Sequence, residues 1–115
     1  MQYLILIYGD PATGEAMTEE QGIAIMGEYF AYTQGLEDAG VFVDGNPLEN
    51  AASATTVRVR DGEVLLTDGP FAEAAEIATG IYLLSAADRD EAVKLASMIP
   101  ASAVELRQLA GVSGL

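Results

Sequence analysis

A chain of 115 residues, half of them hydrophobic, supports one domain with a substantial core and not two. Five Lys and Arg against eighteen Asp and Glu leave a formal net charge of −13, so nucleic acid and anionic membrane surfaces are repelled partners. Cys, His and Trp are absent, which excludes disulfides, thiolate nucleophiles, Cys/His zinc sites and imidazole-based triads.

The opening segment Gln2 to Tyr8 is apolar at both parities, as in a strand buried on both sides, and Gly9-Asp10-Pro11 breaks it. It carries no basic lead and no cleavage site, and no apolar run nears about 18 residues, so a cytoplasmic chain is expected. A polar, glycine-containing loop then reaches Thr18-Glu19-Glu20-Gln21, which has the spacing of a capping box. A helix is predicted from about Thr18 to Ala39, with Ile23, Met26, Phe30 and Leu36 as its core-facing stripe, Ile25 and Tyr29 beside them, and Gly40 ending it.

Val41-Phe42-Val43 begins a second strand, which Gly45, Asn46 and Pro47 are expected to end, and Glu49 to Ala54 reads as loop. Thr55 to Thr67 holds two alternating runs joined by Asp61-Gly62, a pair suited to the positive φ angles of a type I′ hairpin turn. That turn sets Arg60 opposite Glu63, Val59 opposite Val64, Arg58 opposite Leu65 and Val57 opposite Leu66, so the valines and Leu66 share a face expected to be core. Ile77 to Leu84 reads as another two-sided apolar strand. Asp88-Arg89-Asp90-Glu91 caps a shorter helix with Ala92, Val93, Leu95 and Ala96 inward and Pro100 closing it, and Val104 to Leu109 alternates as a last strand.

This order predicts an α+β fold close to a ferredoxin-like βαβ…βαβ with an inserted hairpin: an antiparallel sheet with both helices on one face. The other face, apolar in two strands, needs cover, and an obligate homodimer is expected to supply it.

Between the hairpin and the next strand lies Asp68-Gly69-Pro70-Phe71-Ala72-Glu73-Ala74-Ala75-Glu76. This segment resembles the signature of the YCII-related, or DGPF-domain, family. So do Ile7-Tyr8-Gly9-Asp10, Thr56-Val57-Arg58, and Gly80-Ile81-Tyr82-Leu83 followed by a helix from Asp88 to Ala96. The resemblance spans residues 1 to 109 as a single domain and leaves 110 to 115 as a tail. It implies a ferredoxin-like domain whose dimer closes two sheets into an αβ barrel with a cleft. For function it implies either small-molecule enzymes akin to muconolactone isomerases and dehydrochlorinases, or accessories of extracytoplasmic-function sigma factors. Two departures bear on this: enzyme-like relatives use a His and Asp pair, and no His exists here, while Ala74-Ala75 stand where a Thr-Lys pair is frequent.

The leading expectation is a small organic molecule bound in a cleft of the dimer. Catalysis is left open; if present it is cofactor-free acid/base chemistry with Asp68 transferring the proton and Glu73 assisting. Arg58 would hold an anionic group, with Tyr8, Phe71 and Tyr82 lining the site. Asp68 shares parity with Val64 and Leu66, so it is expected to be withdrawn from water, where it must find a cation, backbone N–H donors or a proton. Asp10 with Glu15 offers too few converging oxygens for a metal, and none is expected. The competing reading is a protein-interaction module whose acidic surface meets a basic patch on a regulatory partner.

Overall fold

The computed structural model describes residues 1–71 and 76–111. Its strands are β1 (Gln2–Gly9), β2 (Phe42–Pro47), β3 (Thr55–Arg60), β4 (Glu63–Asp68), β5 (Ile77–Ser85) and β6 (Ala103–Gln108); its helices are α1 (Pro11–Ala16), α2 (Glu19–Asp38) and α3 (Arg89–Ala96). Four strands form an antiparallel sheet in the order β2-β5-β1-β6, and β3 and β4 form a separate hairpin. The result is an α+β fold whose strand order is compatible with a ferredoxin-like arrangement.

The two longer helices start where local chemistry places them. Thr18 accepts from the Gln21 amide at 3.1 Å while the Gln21 side chain accepts from the Thr18 amide at 2.9 Å, a complete capping box for α2. Asp88 accepts from the Glu91 amide at 2.9 Å and caps α3. Gly40 ends α2 with φ +72, a conformation costly for other residues. Both helices lie on one face of the sheet: Leu36 of α2 and Ala96 of α3 are buried with Ile5, Ile7, Tyr82 and Leu84, while Ala92 packs with Tyr3 and Ala86.

Parity in β1 decides which residues make this core. Tyr3, Ile5 and Ile7 are buried under the helices, whereas Leu4, Leu6, Ile81 and Leu83 point to the opposite face and are half-buried. None of these four residues joins the buried core clusters under the helices. No described helix is long and apolar enough to cross a membrane.

Several expectations are corrected. Residues after Pro11 form α1, not a loop, because Asp10 accepts from the Ala12 amide at 2.9 Å and Pro11 stands at the first helical turn, where its missing N–H costs nothing. Gly45, Asn46 and Pro47 continue β2 instead of ending it. As an edge strand, β2 pairs on one side only, and Gly45 sits opposite Tyr82, whose ring covers it.

The inward stripe of α2 is also different: Ile23, Met26 and Phe30 are exposed, and Ile25, Tyr29, Tyr32, Thr33 and Leu36 face the sheet. Both sets have helical spacing, so periodicity alone could not choose between them. In α3, Val93 is exposed while Ala92 and Ala96 are buried. The hairpin register is as expected at all four pairs, and Asp61 and Gly62 have φ +52 and +78, yet Val57, Val59, Val64 and Leu66 are exposed because nothing packs on that face. Asp68, expected in the interior, is exposed for the same reason. Of the expected tail, 112–115 lie outside the described residues.

Candidate functional site

A cleft of about 570 Å³ opens between the N-terminal half of α2 and the β2–β5 edge of the sheet. Its walls are apolar, with Ile25, Met26 and Phe30 on the helix side and Ile7 and Pro47 on the sheet side. Gly80 lies among the lining residues, buried: a Cβ there would come within 3.3 Å of the Asn46 carbonyl oxygen and 3.4 Å of Ile7 Cδ1. The missing side chain therefore keeps β2 and β5 close and leaves room above them.

Polarity in the cleft comes from hydroxyl and amide groups. The hydroxyls of Thr33 and Tyr82 are 2.7 Å apart. The Tyr82 ring is held edge-on by Tyr32 at 5.3 Å and Phe42 at 6.4 Å between centroids, so its hydroxyl is fixed in place. Tyr29 also lines the cleft, and burial, with lesser contributions from Tyr82 and Glu28, raises its pKa above the usual phenol value. Tyr32, whose hydroxyl donates to the Leu95 carbonyl at 2.8 Å, is raised further by burial and by Tyr82. These phenols remain neutral hydrogen-bonding groups at physiological pH. Among the described residues, none that lines the cleft carries a charge.

The residues singled out from sequence fall in three places. Tyr82 lies in the cleft. Tyr8 is on the opposite face of the sheet, where its hydroxyl donates to Glu105 Oε1 at 3.4 Å. Arg58 and Phe71 meet beside the hairpin, with the guanidinium carbon 5.0 Å from the ring centroid, and both are exposed. Asp68 is exposed at the end of β4, opposite Thr55, and lines neither this cleft nor the groove between α1 and α2. Glu73 lies outside the described residues. The DGPF turn is tied back locally, since the Gly69 carbonyl accepts from Thr56 Oγ1 at 2.8 Å and its amide donates to the Ala54 carbonyl at 2.7 Å.

Tyr29, Thr33, Asn46 and Gly80 line the cleft but were not among the site residues expected from the sequence. Tyr29 and Thr33 are four apart on α2, so their hydroxyls share a face within an apolar stripe, a signal that was present but ambiguous. Asn46 and Gly80 meet only through the β2–β5 pairing. Asp10 is engaged as the cap of α1, and among the described residues no group of three or more Asp or Glu converges as a metal site.

The family model described as the YCII-related domain matches residues 1–109. An uncharacterized protein of Rhizobium meliloti (strain 1021) is 33% identical over 96 residues, covering 84% of this chain and 77% of that protein.

Proposed function

The chain belongs to the YCII-related domain family, and on that premise we propose that it binds a small, uncharged and largely apolar organic molecule in the cleft beneath α2. The observation that carries this reading is the combination of volume and lining. About 570 Å³ falls within the range of roughly 300–1,000 Å³ typical of ligand sites. Apolar walls would supply affinity, and the Thr33–Tyr82 hydroxyl pair with Tyr29 would orient a carbonyl or hydroxyl group on the ligand.

The reading is one of binding. Proton transfer by Asp68 required a carboxylate withdrawn from water beside a ligand, and its exposed position away from the cleft offers no support for that role. The protein is proposed to act as a homodimer, with a second copy covering Leu4, Leu6, Ile81 and Leu83 on the open face of the sheet.

Gly22→Leu tests the ligand site. Gly22 lines the cleft, and an added Cβ meets Met17 Sδ at 3.9 Å, an ordinary contact, so α2 tolerates a larger side chain at this edge of the cleft. A panel of small aromatic and aliphatic hydroxy and keto compounds, screened by saturation-transfer NMR, should give hits that weaken at least tenfold in this variant. No hits, or hits untouched by the substitution, would remove the proposal.

A second reading, an interaction module for a regulatory protein, is favoured by the exposed apolar residues of the hairpin. Sedimentation of the purified chain at micromolar concentration separates the two: a stable monomer leaves those surfaces for a different protein.

A further inference from the structure

The polar residues lining the cleft are Tyr29, Thr33, Asn46, Thr79 and Tyr82. Two of them have their side chains engaged elsewhere. In the β2–β5 register Gly45 stands opposite Tyr82, whereas Asn46 stands opposite Ile81 and Asp44 opposite Leu83. Residues paired across antiparallel strands share a face. Asn46 therefore turns its side chain to the face away from Tyr82, where its Nδ2 donates to Asp44 Oδ1 at 3.3 Å, and it borders the cleft with its backbone. Thr79 donates to the Ile7 carbonyl at 3.4 Å.

Three hydroxyls remain, those of Tyr29, Thr33 and Tyr82. Thr33 and Tyr82 lie 2.7 Å apart and share one hydrogen bond, so whichever oxygen donates, the second proton of the pair is left over. A helical threonine can return its proton to the carbonyl four residues back. Among the described residues neither oxygen of the pair makes a second hydrogen bond, and the Tyr29 hydroxyl makes none. Tyr82 is buried, which withdraws the pair from bulk water. Tyr29 stands one helical turn before Thr33 on the same side of α2. Burial, the Tyr82 phenol and Glu28 all raise its pKa, so it keeps its proton at physiological pH.

We propose that the cleft selects neutral carbonyl compounds, ketones and esters, over the matching alcohols and carboxylates. This deepens the reading of the cleft as a ligand site and rests on it. A ketone oxygen has two lone pairs and no proton, so it accepts from Tyr29 and from the free hydroxyl of the Thr33–Tyr82 pair, and every O–H is satisfied. An alcohol brings a further proton. If it accepts from the pair and donates to the Tyr29 oxygen, the Tyr29 proton is left without an acceptor, and an unmade buried hydrogen bond is costly. A carboxylate has the lone pairs but also a charge. No cation lines the cleft, Glu28 is close enough to act on Tyr29, and the chain carries a net charge of −13, so nothing offsets the loss of the anion's hydration.

Four probes on one bicyclic skeleton test this: α-tetralone, α-tetralol, tetralin and tetralin-1-carboxylate, each titrated into the full chain at neutral pH and followed by chemical-shift changes. α-Tetralone should bind about fivefold or more tightly than α-tetralol, and the carboxylate should bind most weakly of the four. Tyr29→Phe removes one donor. Thr33→Val/Tyr82→Phe removes the other, and both changes are needed because either hydroxyl left alone still has a proton to donate. Each variant should weaken α-tetralone about three- to tenfold and leave tetralin unchanged, which also shows that the cleft is intact. An alcohol or carboxylate that binds as tightly as the ketone overturns the proposal. So does a loss in the variants that tetralin shares, since that reports a damaged cleft and not a missing donor. If tetralin binds and α-tetralone binds no better in any variant comparison, the apolar ligand site stands and carbonyl selection falls. If none of the four binds, both fall.

Discussion

Gly45→Ala is expected to destabilise the fold, although it replaces a flexible residue in a strand with one that ordinarily favours order. A Cβ at position 45 would sit 2.7 Å from Tyr82 Cδ1, 2.8 Å from Cε1 and 3.2 Å from the Phe42 ring. The Tyr82 ring has little freedom to yield, being flanked by Tyr32 and Phe42 and pinned through its hydroxyl to Thr33 at 2.7 Å. Overpacking of this kind costs about 1–3 kcal/mol, offset by about 0.4–1 kcal/mol from the stiffer unfolded chain. The net loss is therefore about 1–2 kcal/mol, a drop of about 4–8 °C in Tm for a domain of this size. Urea unfolding at fixed protein concentration, so that any association is held constant, should show a lower midpoint with unchanged slope.

Gly35→Ala is the opposite-sign control. It lies within α2, and a Cβ added there would meet nothing within 4 Å, so the same substitution should stabilise by about 0.5–1 kcal/mol. In a Tyr82→Ala background the penalty of Gly45→Ala should vanish, which isolates the ring contact as its cause. A Gly45→Ala protein as stable as the wild type, or a penalty that persists without the ring, would refute the reasoning.

Thr18→Ala removes half of the capping box of α2 and should cost about 1 kcal/mol in urea unfolding. Leu84→Ala, at a fully buried position, should cost about 2–5 kcal/mol by the same measurement. For Tyr32 the folded state holds the phenol protonated to higher pH than its ordinary value of 10.0. Its contribution is fully present below that pH and is lost as pH rises, since the unfolded chain releases the proton first. Wild-type stability should therefore fall above about pH 10 more steeply than that of Tyr32→Phe, followed by urea titrations across that range.

Features set by a few neighbouring residues were legible in the sequence. The capping box at Thr18 and Gln21, the Asp88 cap, the Gly40 terminus and the Asp61-Gly62 turn each depend on contacts within four residues, and each formed as its chemistry requires. The turn also carried the hairpin register with it, because a two-residue loop leaves one way to pair the strands. The order of elements followed from these local signals, and with it the α+β class.

What depended on distant partners was not legible. Alternation showed that Val57, Val59, Val64, Leu66 and Asp68 share a face, but parity says nothing about whether anything covers it, and within the described chain nothing does. Two stripes of α2 had equal claim to the core beside Leu36 until the sheet selected Ile25, Tyr29 and Tyr32 over Ile23, Met26 and Phe30. Gly45 to Pro47 read as a break because their extended state is stabilised by β5 and the Tyr82 ring, both more than thirty residues away in the chain. The cleft has the same origin: Tyr29 and Thr33 come from a helix, Asn46 and Gly80 from strands that pair only after the chain has crossed over. Local sequence determined where elements begin and turn, since those free energies are short-ranged; burial and the binding surface were decided by packing, which sums contacts between residues far apart in sequence.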